Sequence, residues 1–137
     1  MSYRDIARAQ LRVDEGVKSK PYRDTKGKLT IGVGHNLDDK GLSPKAIAFL
    51  LEEDMDEAEY GARTLFPNFD DLSDARKAVL LEMTFNLGVE GLSLFRKFRK
   101  AVAAQDFDSA YVEMVSSLWA DQVGVRATRL AKQMKDG

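Results

Sequence analysis

Cysteine is absent from the 137-residue chain, and histidine occurs once, as His35. Without cysteine there is no disulfide framework and no thiolate metal site, and this composition is typical of a protein made in a reducing compartment. A single histidine also excludes a site that needs several histidine ligands. We therefore expect the protein to need no metal and no other cofactor.

Long apolar runs and an excess of basic residues are lacking as well. No stretch approaches the roughly 20 apolar residues that cross a membrane, and the first residues are charged where a secretory signal would be apolar. The formal net charge of -1 argues against general nucleic-acid binding. We therefore expect neither stable membrane insertion nor a nucleic-acid partner.

The charge that is present is unevenly distributed along the chain. The segment from Asp38 to Asp74 is acidic, whereas the segment from Leu92 to Lys135 is basic. Basic helices can face an anionic polymer, but they can equally be ordinary solvated surfaces. Both interpretations remain open. The hydrophobic share of 44% and the charged share of 31% are those of a folded globular protein, and we expect a monomer.

Hydrophobic spacing predicts a helix from about Tyr3 to Glu15, followed by Gly16, which suits a helix end. Tyr22–Asp24 and Leu29–Val33 flank a short glycine-containing turn, a pattern that predicts a β-hairpin. Five further helices are predicted at about residues 43–63, 73–88, 93–104, 107–117 and 125–135.

This order predicts an α+β fold in a single domain of residues 1–137. We expect a small β-containing lobe of about residues 15–55 and a larger helical lobe of residues 1–14 and 56–137. A cleft between such lobes is a common place for a ligand.

Two carboxylates flank the region between the first helix and the hairpin. Glu15 ends the helix, and Asp24 lies at the edge of the hairpin. Glycoside hydrolysis needs an acid for the leaving oxygen and a second carboxylate across the bond. By itself the pair is a weak signal, because the chain has 22 acidic residues.

The sequence around this pair is more specific. Glu15 is followed after eight residues by Asp24, and Asp24 after five residues by Thr30, within a run that ends in Thr30-Ile31-Gly32-Val33-Gly34-His35. This pattern closely resembles the signature of the phage-type lysozymes of glycoside hydrolase family 24. Phe85–Gly88, Trp119 and Arg126 extend the resemblance over nearly the whole chain.

The resemblance implies a lysozyme-like fold and a muramidase that hydrolyses bacterial peptidoglycan with inversion. It implies that Glu15 is the general acid, that Asp24 helps to activate water, and that Thr30 orients that water. It further implies that Arg126 pairs with Glu15 and that His35 pairs with Asp54.

Substrate contacts are implied at several family positions. These positions correspond to Asn36, Phe85 and Asn86. Two further positions correspond to Phe98 and Glu113, where the residue type differs from that of the T-even phage enzyme. Aromatic residues such as Phe85 and Trp119 are usually core anchors; for Phe85 both roles remain open, and for Trp119 we expect the core.

The resemblance also implies a phage or prophage endolysin, made in the host cytoplasm and released to the cell wall by a holin. Two other functions remain open. A peptidoglycan-binding or scaffolding module could keep the fold without catalysis. A lytic transglycosylase would need the acid but not Asp24.

Overall fold

The computed structural model describes residues 1–137. The chain divides into two compact units, Met1–Phe49 and Leu50–Gly137. The boundary lies a few residues before the predicted limit of the β-containing lobe. The predicted assignment of residues 1–14 to the helical lobe and the predicted cleft concern the arrangement of the two units, and they stay predictions.

The first unit contains a helix, a small sheet and one helical turn. Helix α1 is Tyr3–Glu15, and α2 is Leu37–Lys40. The strands are β1 (Lys18–Arg23), β2 (Leu29–Gly32) and β3 (His35–Asn36). They form one antiparallel sheet in the order β1-β2-β3.

Helix α1 has the predicted bounds because the sequence supplies a signal at each end. Ser2 accepts from the Asp5 N–H through its hydroxyl at 3.2 Å, and the Asp5 carboxylate accepts from the Ser2 N–H at 3.1 Å. These two bonds form a capping box. The hydrogen bond from the Ser2 hydroxyl is the main reason that the pKa of Asp5 is lowered. At the other end, Gly16 adopts a φ of 76° and its N–H donates to the Arg12 carbonyl.

The second unit is helical. Its main helices are α3 (Pro44–Leu65, which begins in the first unit), α4 (Asp74–Ser93), α5 (Arg96–Ala103), α6 (Phe107–Val115), α7 (Leu118–Val123) and α8 (Val125–Asp136). A 3₁₀ turn, Phe69–Asp71, lies between α3 and α4.

A hydrophobic core holds the second unit together. Helices α3, α4, α5, α6 and α8 each contribute fully buried side chains, and α7 contributes the nearly buried Trp119. Phe66, just after the end of α3, is also fully buried. The largest of the fully buried side chains are Phe66, Phe98, Leu80, Met83, Leu92, Met114 and Met134. Phe66 and Phe98 meet edge to face at a ring-centroid distance of 6.0 Å. Trp119 is 3% exposed and is therefore a core anchor, the role expected for it.

The predicted α+β, lysozyme-like fold is confirmed, but four short elements were not predicted: β3, α2, the 3₁₀ turn Phe69–Asp71 and α7. The predicted end of a helix near Gly88 is confirmed in the backbone, because Gly88 has a φ of 74° and a ψ of 161°, which are not helical angles. Beyond this kink a second helical segment continues to Ser93, so α4 consists of two helical segments. No individual helix meets the length and apolarity needed to span a membrane, although the bent pair α4 and α5 meets both together.

Candidate active site

Glu15 is the last residue of α1, and its exposed side chain lies over Gly34. A Cβ atom built on Gly34 would be 2.9 Å from Glu15 Oε2 and 3.1 Å from Glu15 Cδ. Gly34 has a φ of +64°, in the left-handed region that favours glycine. A negative charge at a helix C-terminus does not stabilise the helix, so the position of Glu15 has no explanation in helix stability.

Asp24 is fixed by the turn of the hairpin. Its Oδ1 accepts from the backbone N–H groups of Lys26 and Lys28, each at 2.8 Å. Its own N–H donates to the Lys28 carbonyl at 2.9 Å, and its carbonyl accepts from Gly27 at 3.0 Å. Oδ2 receives no hydrogen bond from the protein, so one carboxylate oxygen holds the turn and the other is available to a solvent molecule.

Thr30 lies on β2, where it pairs with Tyr22 of β1 and with Asn36 of β3. Its side chain is buried, and its hydroxyl donates to the Lys28 carbonyl at 2.9 Å. The oxygen of that hydroxyl therefore keeps its lone pairs for a donor. The Lys28 backbone connects the two candidate residues, because its N–H donates to Asp24 and its carbonyl accepts from Thr30.

Carboxylates of α2 brace the same hairpin. Asp38 accepts from the Leu29 N–H at 2.7 Å and from the Arg23 guanidinium at 3.2 Å. Lys28 Nζ lies 3.0 Å from Asp39 Oδ1. This hydrogen bond is the largest cause of a lowered pKa at Asp39 and of a raised pKa at Lys28. The turn that presents Asp24 is thus tied to α2.

His35 and Asn36 both have local structural contacts. His35 Nε2 lies 2.6 Å from the Gly41 carbonyl, and because a carbonyl only accepts, Nε2 carries a proton and donates. Asn36 caps α2: its Oδ1 accepts from the Asp39 N–H at 3.0 Å, and its Nδ2 donates to the Asp39 carboxylate at 2.9 Å. The predicted pairing of His35 with Asp54 and the predicted sugar contact of Asn36 stay predictions.

The other candidate residues lie in the second unit. Phe85 on α4 is exposed and lines two cavities of about 470 and 480 Å³, and Asp54 lines the larger one. Asn86 accepts from the indole N–H of Trp119 at 2.9 Å. Arg126 Nη2 lies 3.8 Å from Glu82 Oε1, within the range of a salt bridge. The predicted pairing of Arg126 with Glu15 stays a prediction.

A third cavity, of about 540 Å³, lies between α5, α6 and α7. Phe98 and Glu113 are the two positions whose residue types differ from those of the T-even phage enzyme. Both line this cavity, together with Phe95 and Trp119. Phe98 is almost fully buried in the core, whereas Glu113 is half-buried. The structure thus gathers both of these positions at one cavity.

Three catalytic candidates predicted from the sequence, Glu15, Asp24 and Thr30, share the first unit, whereas Asp54, Phe85, Asn86 and Arg126 share the second. The connecting role of Lys28 could not be predicted from the sequence, because that role belongs to its backbone and residue type gives no signal for it. Gly34 was expected only as part of the motif, without a role of its own. No group of three or more acidic, histidine or cysteine residues is arranged to hold a metal ion.

Comparison with known proteins identifies the family. The protein-family model described as phage lysozyme matches residues 12–135 of this chain, a range that includes all three catalytic candidates. Two proteins of Dictyostelium discoideum, "Probable T4-type lysozyme 2" and "Probable T4-type lysozyme 1", are each 26% identical over 156 residues, covering 93% of this chain and 92% of the relative.

A longer relative covers most of this chain. The pre-baseplate central spike protein of Enterobacteria phage T4 is 30% identical over 148 residues, which is 88% of this chain but 26% of that protein. The chain spans about a quarter of the spike protein and nearly the full length of the two T4-type lysozymes. Because the family model covers most of the chain, the protein belongs to the phage lysozyme family.

Proposed function

We propose that the protein is a muramidase, which hydrolyses the β-1,4 bond between N-acetylmuramic acid and N-acetylglucosamine in bacterial peptidoglycan. The observation that carries this proposal is the state of Asp24, whose Oδ1 is held by two backbone N–H groups while Oδ2 accepts nothing from the protein. The turn itself uses only Oδ1, so Oδ2 is left to accept a proton from water. Family membership and the names of the two Dictyostelium relatives support the same activity.

Each of the three residues has a role that its contacts suit. Glu15 is the general acid, because its side chain is exposed at the end of α1 and can reach a glycosidic oxygen. Asp24 is the base, since Oδ2 can accept a proton from water. Thr30 orients that water: its proton is used on the Lys28 carbonyl, so its oxygen accepts from the water.

The proposed reaction proceeds in one displacement. Glu15 gives its proton to the leaving oxygen while the glycosidic bond breaks, and water attacks the anomeric carbon from the opposite face. Asp24 takes a proton from that water. This geometry inverts the anomeric centre, and it needs a separation of roughly 6.5–9.5 Å between the two carboxyl groups.

A comparison of three proteins on purified peptidoglycan tests the proposal. Glu15→Gln should reduce the rate by about a hundredfold or more, the usual contribution of a general acid. Asp14→Asn is the matched control, because Asp14 is an exposed carboxylate on the preceding residue of the same helix, and it should keep parental activity. Equal rates for the two variants would refute the role of Glu15.

The chemical nature of the products separates the competing functions. Hydrolysis gives new reducing ends, transglycosylation gives anhydro ends, and a binding module gives no product. Anhydro ends would leave Glu15 as the acid but remove the water-activating roles of Asp24 and Thr30. Binding of the parent protein without any product would favour the scaffolding alternative.

We further propose that the protein acts as a monomeric endolysin, made in the host cytoplasm and admitted to the wall by a holin-type pore. Expression in the bacterial cytoplasm should then cause lysis only when a pore-forming membrane protein is expressed with it. The Glu15→Gln variant with the same pore should not lyse cells. Lysis without any pore would contradict the proposed route.

A further inference from the structure

The carboxyl group of Glu15 occupies the space that a side chain would fill at Gly34. A Cβ atom at that position would lie 2.9 Å from Oε2, 3.1 Å from Cδ and 3.2 Å from Cγ of Glu15. Real Cβ atoms essentially never approach another heavy atom within 3.0 Å. An alanine at position 34 and the observed position of the Glu15 carboxyl group are therefore incompatible.

We propose that Gly34 is a positioning residue for Glu15: by lacking a side chain, it leaves open the space that the acid's carboxyl group occupies. The inference rests on the proposed function, because it matters only if Glu15 is the acid. It adds a second requirement of the site, which is that the residue facing the acid has no Cβ atom.

The collision at Gly34 involves only the outer part of the Glu15 side chain. The three nearest atoms to the built Cβ are Oε2, Cδ and Cγ of that residue, and none of them is a backbone atom. Rotation about the side-chain torsions of Glu15 relieves such a contact without moving α1 or the sheet. A methyl group at position 34 should therefore displace the acid while the fold stays intact.

Displacement of a catalytic group by about 1 Å can reduce a rate by about a hundredfold. The loss should appear in kcat, because the acid acts on the leaving oxygen in the transition state, and an interaction made only there changes kcat rather than KM. A merely structural role for Gly34 would instead lower the amount of folded protein.

Gly32 provides a matched control two residues away. Its φ is +68°, close to the +64° of Gly34, but a Cβ atom built on it meets nothing within 4 Å. Alanine at either position therefore carries a similar backbone strain, and only alanine at 34 collides with Glu15. The difference between the two variants isolates the contact from the strain.

The experiment compares Gly34→Ala with Gly32→Ala by thermal unfolding and by steady-state kinetics on solubilised peptidoglycan. We expect similar decreases in Tm for the two variants. We expect kcat to fall at least tenfold further in Gly34→Ala, with KM within about twofold of the parent. Equal kcat values for the two folded variants would overturn the proposal.

A second comparison separates displacement of the acid from obstruction of the substrate. In a Glu15→Gln background, adding Gly34→Ala should leave the Kd for a peptidoglycan fragment within twofold. A tenfold weaker Kd would show that the methyl group blocks the sugar, and would overturn the proposal. If Gly34→Ala does not fold, the pair Gly34→Asn and Gly32→Asn replaces it, because asparagine tolerates positive φ best among residues with a Cβ atom.

Failure of this inference is distinguishable from failure of the proposed function. If Glu15→Gln is inactive but Gly34→Ala matches Gly32→Ala, the acid assignment stands and the positioning role is wrong. If Glu15→Gln itself keeps parental activity, the proposed function is wrong, whatever the glycine variants do.

Discussion

Trp119 donates its indole N–H to the side-chain carbonyl of Asn86 at 2.9 Å, a contact that joins α7 to α4. Trp119 is 3% exposed, whereas Asn86 is an exposed residue of α4, so the hydrogen bond lies at the edge of the core. Because such a hydrogen bond contributes about 0.5–1.5 kcal/mol net, Asn86 contributes to stability whether or not it also touches substrate.

Replacement of Asn86 should therefore destabilise the protein. Asn86→Ala removes the acceptor of the indole N–H and should lower the free energy of unfolding by about 1 kcal/mol, the net contribution of one hydrogen bond. Asn86→Asp keeps an acceptor for the indole N–H and should lower the free energy of unfolding by less. Urea unfolding followed by far-UV circular dichroism measures both, and it also works in a Trp119→Phe background, which has no tryptophan. In that background Asn86→Ala should cost much less; an unchanged cost there would mean that the hydrogen bond is not its source.

Asp24 combines a structural and a proposed catalytic role, and two substitutions separate them. Asp24→Asn keeps a carbonyl oxygen that can accept from Lys26 and Lys28, so the turn should stay intact. Its activity should nevertheless fall by about a hundredfold or more, because an amide cannot take a proton from water.

Asp24→Ala should lose both properties: the activity and also part of the stability, since two backbone N–H groups lose their acceptor. Thermal unfolding and peptidoglycan hydrolysis are measured on the same preparations. Parental activity in a folded Asp24→Asn protein would show that Asp24 serves only the turn.

The ion pair of Lys28 and Asp39 predicts a pH dependence of stability. The hydrogen bond from Lys28 lowers the pKa of Asp39 below its unfolded value, which is about 3.9. Since the folded pKa is the lower one, the stabilisation is fully present above about pH 3.9 and is lost as the pH falls through the folded pKa.

Lys28→Met removes the partner and serves as the comparison. The parent should be more stable than this variant near neutral pH, and the difference should shrink as the pH falls below about 3.9. Both side chains are partly exposed, so the difference should be small and should also shrink with added salt. A difference in Tm that stays constant from neutral to acidic pH would rule out the ion pair as its origin.

Strong local signals explain which elements could be predicted from the sequence. The bounds of α1 follow from the capping box of Ser2 and Asp5 and from Gly16, all within a few residues of the helix ends. Strand β3 and helix α2, of two and four residues, are too short for hydrophobic periodicity to reveal them. Gly88 ends the first helical segment of α4 as its residue type predicts, but no comparable local signal marks the second segment, which continues to Ser93.

Residue types in the candidate site were predictable, but their contacts were not. The resemblance of the motif that contains Glu15, Asp24 and Thr30 to the phage-type lysozyme signature identified them as catalytic candidates. The partners of Trp119 and Arg126 lie far away in sequence, at Asn86 and Glu82, and no local pattern indicates such pairs. The role of the Lys28 backbone was equally hidden, because every residue type has the same N–H and carbonyl.

The stereochemistry of the product tests how Asp24 and Thr30 act together. Thr30 gives its proton to the Lys28 carbonyl and keeps its lone pairs for water, while Asp24 Oδ2 accepts nothing from the protein. In the proposed mechanism one water molecule donates to both acceptors, and its own oxygen attacks the sugar. The first product from a β-linked substrate should therefore be the α-anomer, and early-time NMR of the anomeric proton detects it before mutarotation.

Thr30→Val and Thr30→Ser refine this test. Valine has nearly the same shape as threonine but no hydroxyl, so the water loses one acceptor and the rate should fall at least tenfold; serine keeps the hydroxyl and should retain more of the activity. If the first product were the β-anomer, Asp24 would be a nucleophile that forms a covalent intermediate, and its carboxyl group would lie about 5–5.5 Å from that of Glu15. That outcome would contradict the role of Thr30, because the face opposite the leaving group would then be occupied by the Asp24 oxygen and no water could attack from it.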